Sequence, residues 1–303
     1  MEATKQNAQQ PKPQAPVAKK ANNGVSSNVG GIKNAFIVIL ISFVIAECFY
    51  LFGLGSFFEY SDGNTYASHF FAPTKDEGVT SNPTNLLGTM YLGGFVVPFI
   101  LTCLLTVLTL TVERFIALGK AAGKGNQTKF VAEVKKALNE KNVAEVKAEE
   151  LCKKQQGTVG AIVFSTLGKY KEMEANTVLP KEQKLAVIQQ QLEEATALEM
   201  PSLQQNLPIL ATMTTLGTLL GLFGTVVGMI KSFQALGNAG APDSAELSKG
   251  ISEALVNTAS GILTAVCALI GYNFFTNKID NLTYAVDELG FAIVNAYAAN
   301  HAN

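Results

Sequence analysis

Gly217–Phe233 reads GTLLGLFGTVVGMIKSF, apolar enough to cross a bilayer yet interrupted by glycine at 217, 221, 224 and 228. At 100° per residue these glycines fall within about 60° of one another, a groove down one side of a helix. Lipid gives no reward for burying Leu against Leu, so membrane helices associate through small residues that bring backbones close. Thr214, Thr218 and Thr225 run along the neighbouring face. Gly217, Gly221, Gly224 and Gly228 are therefore expected at a close helix–helix contact, with the threonines lining something polar. Such a helix suits a multi-helix membrane channel or motor better than a simple anchor.

Composition agrees. Hydrophobic residues make up 48% of the chain and charged residues 16%, so long uncharged segments must exist. The net charge of −1 argues against bulk nucleic-acid binding. Cys48, Cys103, Cys152 and Cys267 form no CxxC or other ligand spacing and read as small apolar residues. With only His69 and His301 present, a histidine-based metal site or triad is not expected. No P-loop, GxGxxG or HExxH occurs, so no cofactor and no enzymatic chemistry are expected.

The chain divides by composition. Residues 1–31, rich in Gln, Pro, Asn, Gly and Lys, read as a disordered tail. Four apolar spans follow at 32–54, 91–112, 207–233 and 250–275, each near the ~20 residues a crossing helix needs. Residues 55–90 and 234–249 connect them on one side, while 113–206 and 276–303 read as helical on the other. In 113–206, Val131, Val134, Leu138 and then Leu185, Ile188, Leu192 recur at helical spacing, and Gly157 and Pro180 divide the segment into two or three helices. The expected fold class is all-α: a polytopic membrane protein with four transmembrane helices, two of them extending into a cytoplasmic helical bundle. Lysine crowds 1–33 and 113–206, whereas 55–90 has Lys75 against Glu59, Asp62, Asp76 and Glu77. The positive-inside rule then puts both termini in the cytoplasm.

The fourth span, ISEALVNTASGILTAVCALIGYNFF from Ile251, segregates polarity. With Glu253 at zero on a helical wheel, Asn257, Ser260, Gly261 and Thr264 lie between about −20° and 80°, and Thr258 borders them near 140°. An ionised carboxylate at bilayer depth costs at least ~2.5–3.5 kcal/mol, so it faces a cavity or a partner and marks function. The plain alternatives are that Glu253 is solvated at the outer interface and that each hydroxyl bonds its own helix backbone. Segregation of hydroxyls on two adjacent spans fits the second alternative poorly. Glu47, in the first span, is a secondary candidate for a proton pathway, or an anchor to Thr102, Thr106 or Thr109 on the second. Glu113 and Arg114 are expected at the cytoplasmic interface.

The pair GLFGTVVGMIKSF and ISEALVNTASGILTAVCALIGYNFF resembles the MotA/TolQ/ExbB proton-channel family, nearest to its ExbB branch. The layout likeness covers 91–290, including the ERF of Glu113–Phe115. The resemblance implies a bacterial inner-membrane subunit that forms a homopentamer around an ExbD-like dimer of single-span chains. It implies that a membrane Asp of that partner carries protons, and that a TonB-like transducer delivers the work to outer-membrane transport. Carried over position by position, the pore-lining threonines fall on Thr225 and Thr258 and the pore-facing carboxylate on Glu253. The chain departs from the family in having Cys267 where a proline is common, and in the extra 32–54 span with its 55–90 loop. A TolQ-like or gliding-type motor subunit is the rival within the family. A passive scaffold and a solute transporter are the rivals outside it. A scaffold has no use for Glu253 and two hydroxyl stripes, and a broken-helix transporter should show matching interrupted halves.

Overall fold

Apolar runs this long cannot leave backbone amides unpaired in lipid, so helix is the structure they dictate. A computed structural model describes residues 31, 32, 34–54, 90, 91, 93–139, 144–238 and 244–301, and these contain helices and no strand. The expected disordered tail and outer loop lie outside the described residues, apart from their last positions. Helix α1 covers Ala35–Cys48 and continues as a π-helical turn, Phe49–Leu54. Then come α2, Val96–Ala121; α3, Gln127–Leu138; α4, Ala144–Gln155; α5, Gly157–Ala175; and α6, Lys181–Gln204. Helix α7 runs Leu207–Asn238 and α8 runs Ser244–Asn300. Four helical stretches, 35–54, 96–121, 181–237 and 246–300, are long and apolar enough to cross a membrane.

The helices overrun the apolar spans. At 57 residues α8 is about 85 Å long, well beyond a hydrocarbon core of about 30 Å. Its first half pairs with α7, and its second half joins α3, α5 and α6 in a bundle outside the apolar zone. That bundle has an ordinary core: Leu167, Tyr170, Ile188, Leu289, Ile293 and Tyr297 are buried. Tyr170 and Tyr297 meet edge to face at 4.8 Å, and the Tyr297 hydroxyl donates to the Met173 carbonyl at 3.2 Å. Segment 113–206 holds more helices than Gly157 and Pro180 suggest. Gly123 (φ 76°) and Gly125 (φ 109°) add a left-handed turn after α2, and Asn126 caps α3 by accepting from the Thr128 amide at 3.0 Å. All four cysteines are free. Burial, then the charge of Glu149, pushes the Cys152 thiol up to about 12, so it stays protonated and serves as an apolar residue.

In the apolar half the outward faces carry large hydrophobic residues: Phe36, Leu40 and Val44 on α1, Leu222 and Val226 on α7, Ile262 and Leu269 on α8. Helix α1 leans on α2 through Ala46, Leu54, Val97 and Leu101. Tyr50 stacks on Tyr91 at 4.9 Å and donates to its carbonyl at 3.1 Å.

The other end of α1 is held by a polar cluster. Arg114 is fully buried and forks the Glu113 carboxylate at 2.6 and 2.5 Å. Its remaining nitrogen donates to the carbonyls of Ser202 (3.3 Å) and Leu203 (3.5 Å), where α6 ends. The Ile32 amide donates to Glu113 at 3.0 Å, and the Ile32 carbonyl accepts from Gln205 and Asn206, each at 3.2 Å. The pair is thus enclosed within the chain, because the α6–α7 break folds over it with Asn206 at φ 64°. Arg114→Met should cost about 3–5 kcal/mol, since it leaves a buried carboxylate without its partner. Thermal unfolding in detergent reads this, with Arg114→Lys falling between because an ammonium lacks the fork.

Candidate functional site

Helices α7 and α8 pack backbone to backbone. A Cβ on Gly217 would sit 3.1 Å from the Gly261 carbonyl oxygen, and one on Gly221 would sit 3.2 Å from the Gly261 Cα. At Gly224 it would run into the Asn257 side chain, and at Gly228 it would lie 2.7 Å from the Gly250 oxygen. The glycine line is therefore the seam of the hairpin within one chain, and the small face of α8 fills it.

Along this seam lie the polar groups. Thr225 and Thr258 hydrogen-bond hydroxyl to hydroxyl across the two helices. Thr225 also meets the Gly221 carbonyl and Thr258 the Ala254 carbonyl, each at 3.1 Å. The Gly221 carbonyl is also 3.5 Å from the Thr258 hydroxyl, so two hydroxyls supply two protons for four contacts. When one threonine donates to its partner the other donates to backbone, so the pair has two proton arrangements. Ser232 of α7 also crosses, to the Leu247 carbonyl of α8 at 3.3 Å, but the other threonines of the two stripes do not. Thr214, Thr218 and Thr264 turn back on Leu210 (3.3 Å), Thr214 (3.1 Å) and Ser260 (2.9 Å). For these, the plain alternative of self-bonding is what the structure has, because a carbonyl one turn back is nearer than any second helix.

Toward the α7–α8 connection sits the carboxylate. Glu253 is 6% exposed and pairs with Lys231 of α7 at 2.5 Å, while Lys231 is 46% exposed. The turn before α2 closes over the pair. Gly94 has φ +70°, and a Cβ there would collide with the Glu253 carboxylate. Asn257, fully buried, donates to the Gly93 carbonyl at 2.8 Å, while its own Oδ1 is buried without a partner among the described residues. Within the chain, Glu253 is thus buried and paired, not solvated. It is a paired charge under a glycine turn, and pairing is what makes an ionised group at this depth tolerable.

Glu47 is half-buried on α1, and none of its three expected partners bonds it. Thr102 donates to the Pro98 carbonyl at 2.7 Å, Thr109 is exposed, and the Thr106 hydroxyl is buried without a partner among the described residues. The short hydroxyl of Thr102 is used up on its own helix.

A hairpin with a glycine seam, a crossing hydroxyl pair and a buried carboxylate is the geometry behind the two motifs. Residues 155–288 match the MotA/TolQ/ExbB proton channel family. The match takes in α5 to α7 and most of α8, narrower than the 91–290 layout. An ExbB-like biopolymer transport protein of Synechocystis is 40% identical over 86 residues, 28% of this chain and 41% of that protein. TolQ of Pseudomonas aeruginosa is 39% identical over 88 residues, covering 29% and 38%. ExbB of Pseudomonas putida is 30% identical over 149 residues, covering 49% and 43%. The matched stretches span less than half the length of each relative. The likeness to this family, near ExbB, holds over these residues, and the family is described as one of proton channels. Helices α1 and α2 lie outside the family match.

Lys231 is the residue the motif reading passed over. On the helical wheel it lies about 20° from Gly224, on the glycine face itself. A charge on the closest-packed face of a membrane helix was the available signal for a partner on α8.

Proposed function

We propose that this chain is the ring-forming subunit of an inner-membrane motor driven by the proton motive force. In this reading five copies surround an ExbD-like dimer of single-span chains, and a TonB-like transducer carries the work to outer-membrane transport. Both termini lie in the cytoplasm, and the end holding Glu253 faces the periplasm. The observation that carries the reading is the Thr225–Thr258 pair, a hydroxyl relay with two proton arrangements, on a hairpin matched to a proton channel family. A hydroxyl takes and gives a proton without titrating, so it orients or solvates a passing proton at no charge cost. The partner's carboxylate would then be protonated from one side and released to the other. Each charge crossing yields ~2.3 kcal/mol per 100 mV. The likeness to TolQ of Pseudomonas aeruginosa supports a second reading, in which the same physics drives a TolQ-type partner.

Thr225→Val with Thr258→Val tests the relay. Valine keeps the shape of threonine, so the complex with its single-span partner should assemble with unchanged mass. Proton flux into vesicles under an imposed gradient should fall by about tenfold or more. Normal flux from the double variant would remove the hydroxyl pair from the path.

A further inference from the structure

We infer that Lys231 is a positioning residue, the built-in counter-cation of Glu253, holding the place a monovalent metal ion would otherwise take and so reserving the carboxylate for protons. The inference rests on the proton-driven reading for its setting, but the binding claim has its own readout.

Oxygens line the glycine turn that covers the pair. Glu253 Oε1 contacts Lys231 Nζ at 2.5 Å beneath Gly94, and the Gly93 carbonyl and the unpartnered Oδ1 of Asn257 adjoin the same turn. Asn257 is fully buried, which closes that oxygen to bulk solvent. One carboxylate with amide and carbonyl oxygens is the chemistry that holds a hard cation such as Na⁺. Here the ammonium stands beside the carboxylate instead, on a stem that is 46% exposed and free to withdraw outward. Fixed on α7 in contact with the carboxylate, the ammonium never leaves the neighbourhood, whereas a dissolved metal ion must displace it and shed its own hydration shell. A proton does not compete for space: it bonds to the carboxylate oxygen, cancels the charge and releases the lysine. Among the described residues Lys231 is the charged partner of Glu253. Glu246 and Lys249 stand on exposed turns of α8, and the turn before α2 brings the backbone of Gly93 and Gly94 to the site.

The test is thermal unfolding of the purified full chain in detergent, in NaCl against choline chloride at equal ionic strength. The wild type and Lys231→Arg should melt alike in both salts. Lys231→Met, with its cation removed, should bind Na⁺ and melt higher in NaCl by about 3 °C. Lys231→Met combined with Glu253→Gln should lose that difference. Lys231→Gln, which keeps a hydrogen-bond donor, serves as the second variant should methionine leave the site unfolded. Salt-independent melting of both single neutral variants would overturn the inference. In vesicles, proton flux of Lys231→Met should be about tenfold slower in Na⁺ than in choline, with no difference for the wild type. A wild type without gradient-driven flux would overturn the motor reading instead, leaving the melting series to decide the role of Lys231.

Discussion

Gly221→Leu should leave no folded, assembled protein. The Cβ alone would stand 3.2 Å from the Gly261 Cα and 3.3 Å from the Asn257 carbonyl oxygen, and both are backbone or backbone-fixed atoms. The remaining carbons of leucine have nowhere to go unless α7 and α8 separate along their length. Separation also breaks the contacts at Gly217, Gly224 and Gly228, so the loss exceeds the ~1–3 kcal/mol typical of overpacking at one site. Size-exclusion chromatography and thermal unfolding in detergent read the result directly. Gly168→Leu is the control, because nothing lies within 4 Å of a Cβ there. Gly221→Ala should fall between, its single carbon asking the neighbours to give by a few tenths of an ångström. A monodisperse Gly221→Leu protein with wild-type melting would show that the seam is not where the chain holds together.

The second large effect is expected at Glu253. Glu253→Gln keeps the side chain's size and a hydrogen-bond acceptor beneath Gly94. It frees Lys231, whose stem is already half-exposed and extends outward without strain. The hairpin should therefore form and the ring assemble with its partner. What is lost is a group that binds and releases a proton, and removing such a group typically slows proton transfer about 100-fold or more. Gradient-driven flux at matched membrane levels should fall accordingly, while Glu47→Gln, whose parent has no partner among the described residues, should keep most of it. Full flux in Glu253→Gln would reduce the Lys231–Glu253 pair to a structural clamp.

These two results probe different things that the chain encodes in different ways. The glycine line, the four apolar stretches and the polar stripe on α8 follow from residue type and helical period, so they are legible without coordinates. A helix fixes the angle between residues of one segment whatever surrounds it. Angles within a segment say nothing about which segment answers it. The wheel placed Thr214, Thr218 and Thr225 on one stripe, yet only Thr225 finds a hydroxyl on another helix. The wheel offered Thr102, Thr106 and Thr109 to Glu47, yet Thr102 bonds its own helix, Thr106 has no partner among the described residues and Thr109 is exposed.

Helical class, apolar spans, seam glycines and the resemblance to a proton channel family all follow from residue order alone, because periodicity and small-residue spacing are local properties. The pairing of Lys231 with Glu253 across 22 residues was decided only by the tertiary structure. So was the closure of that pair by Gly93 and Gly94, and so was the enclosure of Arg114 by Ile32 and the α6–α7 break. Each joins groups from separate helices, and their meeting depends on the depth and rotation at which those helices pack. Those two degrees of freedom are set by close-packed backbone contacts such as Gly221 on Gly261, and no single helix contains them.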